Sequence, residues 1–217
     1  MNALLIYLAE STLCFAVLSL VYWIFLRRET LFRANRFYLL AMVLFSVIFP
    51  LVPLQWSPSP SAAPLPVMIE TVVITSGKVK QTLSGHLQWI EIAGVVYLTG
   101  VAIFLIRFVL KLLQLYRVAR ISGIGERNGL KVVFVDRGYS PFSFFGLVFI
   151  NETMVPEDSL PVILEHEKAH ARQFHSIDSV LLELAAILHW YNPVVWMIGR
   201  EMKSIHEYLA DEGVLQN

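Results

Sequence analysis

Charged side chains are scarce in this chain. Asp, Glu, Lys and Arg make up 16% of its 217 residues, against roughly 25% in soluble domains. The formal net charge is zero, so the sequence shows no basic surface of the kind nucleic acid selects, and direct nucleic-acid binding is not expected. There is one cysteine, Cys14, inside an apolar run. It excludes an internal disulfide and reads as a small buried hydrophobe. What fills the chain is apolar: 56% of residues are hydrophobic and the mean hydropathy is +0.61. That is the balance of a membrane protein.

Leu4 to Leu26 is long enough to span about 30 Å of hydrocarbon as a helix. No basic residue precedes it and no small-residue cleavage site follows, so it reads as a retained transmembrane helix, with Glu10 as an interfacial carboxylate. Arg27, Arg28, Arg33 and Arg36 then face one acid, Glu29, and a second apolar run covers Phe37 to Trp56. The basic connection is expected on the cytoplasmic side, which puts the N-terminus outside. Pro50 and Pro53 bend or end the second helix. Trp56 to Pro66 is a Pro/Ser-rich, extended linker, and Val67 to Thr75 reads as an exposed strand. A third span, Leu87 to Ile106, is followed by Arg107, Lys111, Arg117 and Arg120, so its end is again cytoplasmic. Its helix is expected to continue to Tyr116. The expected organisation is a transmembrane pair at 1–56, an external loop at 57–88, a third transmembrane helix at 89–116 and a cytoplasm-facing domain at 117–217.

In that domain Leu130 to Val135 and Phe142 to Ile150 read as two strands of a small hairpin. Ser159 is the expected N-cap and Pro161 lies in the first turn of a helix running to about Phe174. That helix carries His166-Glu167-Lys-Ala-His170. Positions four apart lie about 40° apart around a helix, so two imidazoles can face one metal ion, with Glu167 beside them as a general base for a water molecule. A metalloprotease zinc takes three protein ligands and one water. The third ligand is open among Glu183, Glu201, Glu207 and Glu212. Glu207 and Asp211 share a helical face, which suits a ligand and a carboxylate that holds an imidazole N–H.

His166-Glu167-x-x-His170 followed by Glu207-x-x-Ala210-Asp211 resembles the zinc-ligand pattern of membrane-embedded gluzincin peptidases, and most of all the BlaR/MecR-type regulatory peptidases, the bacterial membrane antirepressors. The likeness extends over nearly the whole chain. It includes the helical pair, the third helix leading into the protease domain, Ser140-Pro141 through Gly146, and Trp190-Tyr191-Asn192-Pro193. It implies zinc on His166, His170 and Glu207, with Glu167 as base. It also implies a further C-terminal helix and sensor module after Asn217, or a sensor partner in their place.

The resemblance constrains topology. Val180 to Ile198 is nearly long enough to span, but a full crossing would put His170 and Glu207 on opposite sides of the membrane. Asn192-Pro193 interrupts the stretch, so two half-helices that enter and return, or a pair at the cytoplasmic interface, are expected. Among the remaining residues, His175 is an auxiliary that orients a ligand or contacts substrate, or else a plain helix-end histidine. Asp178 caps the next helix or supports the site. His189 is a hydrogen-bonded structural histidine. His206 points about 100° from Glu207, which argues against ligation. Tyr191 and Tyr208 are candidates to steady an oxyanion.

The expectation is a mainly α, polytopic membrane protein with three transmembrane helices, a small β-hairpin and a membrane-associated gluzincin-like zinc protease domain whose fourth apolar helix is broken. It is placed in the bacterial inner membrane, with the active site facing the cytoplasm. The substrate would be a protein: by resemblance a transcriptional repressor or another signalling protein. The rivals are a quality-control zinc protease, a non-catalytic scaffold that retains the motif, and a transporter. The transporter would need polar groups paired within the spans, where only Glu10, Glu91 and Arg107 qualify.

Overall fold

The structure is a computed structural model, and it describes residues 2–52, 77–127, 129–135, 140–151 and 155–215. It is mostly helical with one small sheet. Three helical stretches, Ala3–Leu26, Phe32–Leu51 and Trp89–Ser122, are long and apolar enough to cross a membrane. Helix α1 (Asn2–Val21) ends in a wider π turn, Tyr22–Leu26. Helix α2 (Phe32–Ile48) follows after a short connection and runs into a 3-10 turn, Phe49–Leu51, that contains Pro50. The apolar run suggested a start at Phe37, but α2 begins five residues earlier. The Asn35 amide accounts for this: it donates to the carbonyls of Leu26 and Glu29 and so closes the connection against the end of the first helix. Arg33 and Arg36 are therefore helical rather than loop residues.

Helix α3 (Gly77–Ser122) is longer than the span at each end. It stops at Gly123, whose φ of +73° is a left-handed conformation that suits glycine. Pro53 and Trp56 to Thr75, including the strand expected from Val67, lie outside the described residues.

The sheet corrects the expected hairpin. It has four strands, β1 (Gly125–Arg127), β2 (Leu130–Phe134), β3 (Phe142–Phe144) and β4 (Leu147–Ile150), in the order β1-β2-β4-β3. The two runs read from the sequence supply β2 and β4, and these lie parallel, with Val132 opposite Val148. The second run breaks at Phe145-Gly146, both with positive φ. This two-residue turn has the handedness that matches strand twist, and it folds β3 back antiparallel on β4. Alternation then sorts the side chains. Val133 and Phe149 pack with Ala119 of α3. Val132, Val148 and Ile150 pack on the other face with Leu164 of α4 (Leu160–Arg172).

The fourth apolar stretch is two helices, α5 (His175–Leu188) and α6 (Pro193–Leu215). Pro193 needs no N–H at a helix start, and Asn192 Oδ1 accepts the Val194 N–H at 3.0 Å. The hairpin they form lies against α1, α2 and α3. Phe15, Leu39, Met42 and Val43 share one core with Leu182, Val195, Met202 and Ile205. Polar contacts hold its tip. His189, fully buried as a structural histidine, meets Ser11 Oγ at 2.8 Å. Tyr97 OH donates to the Leu188 carbonyl at 3.0 Å, and Trp190 Nε1 donates to the Tyr97 carbonyl. The Trp190 indole lies directly on Gly100, where no side chain fits. At the helical rise, Ser11 is about 22 Å along the chain axis from Leu26, so the tip reaches deep beside the apolar helices.

Candidate metal centre and cleft

Helix α4 leaves the sheet through a 3-10 turn, Glu157–Ser159, with Pro161 in its first turn. Ser159 occupies the N-cap position but makes no side-chain cap bond, because the preceding turn already holds it near helical angles. The helix ends at Arg172 rather than Phe174. Phe174 adopts a left-handed φ of 58° and turns the chain into α5. Leu164 anchors α4 to the sheet, which turns His166 and His170 toward α6.

Three ligand atoms converge there. His166 Nε2 and His170 Nε2 are 3.1 Å apart. Glu207 Oε2 is 3.5 Å from the first and 3.9 Å from the second. A tetrahedral site with bonds near 2.0–2.1 Å has donors about 3.3 Å apart, so the set fits a divalent metal with small adjustments. The second nitrogens support this. His166 Nδ1 is 3.1 Å from Asp211 Oδ1; an N–H at Nδ1 that donates to this carboxylate leaves the Nε2 lone pair facing the centre. Burial, chiefly, pushes the His170 pKa down to about 4, so its ring is neutral and able to ligate near neutral pH.

The four open acids separate cleanly. Glu183 pairs with Lys111 at 3.5 Å, Glu201 with Arg27 at 3.1 Å, and Glu212 lies 3.9 Å from Arg33. Glu207 alone among them faces the histidines.

Glu167 is buried, 6% exposed, beside this set. Burial raises its pKa, partly opposed by a hydrogen bond from the Ser143 hydroxyl of β3. Strand β3 is the sheet edge nearest α4. A cleft of about 850 Å³ opens along it, lined by the two histidines, Glu167 and Glu207 together with the apolar Leu182, Ala186, Val195 and Trp196.

His175 faces the candidate ligand His170: its Nδ1 is 2.7 Å from His170 Nδ1. Burial, followed by the neighbouring His206 and His170, pushes its pKa down to about 3. Asp178 makes no helix cap. Its Oδ2 binds Arg36 Nε at 2.6 Å and His206 Nε2 at 2.9 Å. Burial works against its charge, yet those two hydrogen bonds outweigh burial and hold its pKa low.

Sequence reasoning missed Ser143, Arg36 and the supporting part played by His206. His206 adjoins the buried face formed by Ile198, Met202, Ile205 and Leu209, and a histidine there needs a partner, which is the signal that could have found it. Tyr191 and Tyr208 do not line the cleft. Tyr191 binds the Leu8 carbonyl near the hairpin tip, and Tyr208 stacks on Phe32.

Residues 149–217, the stretch that holds every one of these ligand candidates, match the sequence profile of the BlaR1 peptidase M56 family. This region is of the BlaR1 type. A 64-residue stretch is 31% identical to the regulatory protein BlaR1 of Bacillus licheniformis and covers 30% of this chain. It spans 11% of that relative's length. The matched segment is thus similar to a peptidase family, and three helices long and apolar enough to cross a membrane precede it.

Proposed function

We propose that the protein is a zinc-dependent membrane endopeptidase that cleaves a protein substrate on the cytoplasmic side. One observation carries the reading: His166, His170 and Glu207, from two helices, place one ligand atom each within 4.8 Å of one another, with the buried carboxyl of Glu167 alongside. Zinc bound there would polarise the scissile carbonyl and acidify a water molecule. Glu167 is the proton acceptor for that water and passes the proton to the leaving amine. Its raised pKa makes it a stronger base than an exposed glutamate, while Ser143 fixes its orientation. Asp211 and His175 hold the two imidazoles by their second nitrogens. The edge strand β3 offers backbone pairing to an extended substrate. A proline placed in β3 that left cleavage intact would sink that docking mode.

The basic residues after the first and third apolar helices favour a cytoplasmic site, in the inner membrane of a bacterium. The BlaR1 relative is a regulatory protein by name, which favours regulated proteolysis of a transcriptional repressor or signalling protein, with sensing done by a further domain or a partner. The test compares the proteome of cells carrying the wild type with that of a Glu167→Gln strain. A single regulator accumulating uncleaved supports the reading. Accumulation of many misfolded membrane proteins favours quality control, and no difference overturns the enzyme assignment.

A further inference from the structure

A buried chain of contacts runs from α2 to the back of the metal centre. Arg36 lies near the start of α2, and its side chain is only 13% exposed. Its Nε donates to Asp178 Oδ2 at 2.6 Å and its Nη2 donates to the Gln173 carbonyl at 2.6 Å. Asp178 Oδ2 also receives His206 Nε2 at 2.9 Å. The His206 ring lies flat on that of His175, centroids 4.0 Å apart and planes at 9°. His175 meets His170 through facing Nδ1 atoms. The same corner is tied to α6, because Gln173 Nε2 donates to the Leu209 carbonyl at 3.0 Å. The corner needs such holding, since Phe174 is left-handed without being glycine.

Resting on the metal-peptidase reading, we infer that Arg36 is a positioning residue for the metal centre: through Asp178, His206 and His175 it sets the orientation of His170, and so couples the α1–α2 pair to the site. The fork geometry of guanidinium lets one side chain hold both the carboxylate and the corner carbonyl. Without it, Asp178 is a buried carboxylate with one donor fewer, and the stack behind His170 loses its anchor. Arg36 does not line the cleft, so a displacement of α2 would reach the ligand set without contacting substrate.

The test uses the full chain in detergent, with zinc and cobalt affinities from chelator competition and the visible spectrum of the cobalt form. Arg36→Gln should weaken metal binding about 3- to 10-fold, at or below the lower end for groups that touch a ligand directly, and shift the cobalt bands. Arg36→Lys should recover part of both. Arg27→Gln, which breaks a more exposed ion pair between the first helical segment and α6 through Glu201, should change neither. If Arg36→Gln does not fold, Arg36→Lys and His206→Gln must each shift the cobalt spectrum. Wild-type affinity and spectrum in the Arg36 variants, or an equal change in Arg27→Gln, would overturn the coupling while leaving the metal site standing. A wild-type protein that binds neither metal would overturn both.

Discussion

Removing the carboxylate of Asp211 tests the proposed metal centre most directly, because this carboxylate meets the candidate ligand His166 and does not line the cleft among the described residues. A metal on His166 Nε2 requires the ring proton at Nδ1, where Asp211 Oδ1 waits at 3.1 Å. Outer carboxylates in this role contribute about 10- to 100-fold in metal affinity. The Asp211 side chain is 66% exposed, so in Asp211→Ala water can replace the lost acceptor and solvent already screens the charge. The loss should therefore fall at the low end, about 10-fold, or ~1.4 kcal/mol. Asp211→Asn keeps an oxygen acceptor without its charge. Neutral hydrogen bonds are roughly half as strong as charge-assisted ones, so its loss should be near ~0.7 kcal/mol, about threefold. Glu207→Ala removes a ligand outright and should exceed both. The assay is zinc competition with a chromophoric chelator at fixed pH, alongside circular dichroism to verify helix content. Wild-type affinity in Asp211→Ala, or a larger loss there than in Glu207→Ala, would refute the assignment of ligand and supporter.

Glu167→Gln should keep metal affinity near wild type while peptide cleavage falls about 10²- to 10⁴-fold, the usual contribution of a general base; metal content and turnover measured on the same preparation check it. Only ionised Glu167 can accept the proton and burial raises its pKa, so kcat/KM should be lost as pH falls through a value above the ~4.3 of an ordinary glutamate. Ser143→Ala removes the hydrogen bond that lowers this pKa, and a pH–rate profile should show the acid limb moved further up. Gly100→Val drives a side chain into the Trp190 indole; overpacking of this kind costs about 1–3 kcal/mol, to be seen as a lowered Tm in detergent with the metal site's ligands untouched.

The features legible in the sequence are those whose physics is local. The apolar runs announce helices of membrane length because composition alone decides that property. His166, Glu167 and His170 could be read because spacing on one helix sets which side chains are neighbours, and Asn192-Pro193 could be read as a break because the missing proline N–H acts on its own turn. Helix ends were less accurate. The start of α2 depends on Asn35 reaching back to Leu26 and Glu29, a contact that hydropathy does not encode.

The tertiary structure decided everything that depends on which surfaces meet. Four glutamates were chemically equal as third ligands, and three of them lie against Lys111, Arg27 and Arg33 of distant segments. Strands β2 and β4 became parallel neighbours because the second apolar run folds at Phe145-Gly146 into a hairpin of its own. Arg36 read as a mark of the cytoplasmic side, yet its partner Asp178 is 142 positions along the chain. His206 looked excluded because it points away from Glu207, and pointing away is what lets it stack on His175. By itself the sequence determined the kinds of helices and the chemistry of one motif, since both arise within a few turns of backbone. The packing of α2 and α6 around α4 and α5 singled out the candidate third ligand and its supports, since those contacts exist only once distant segments share a core.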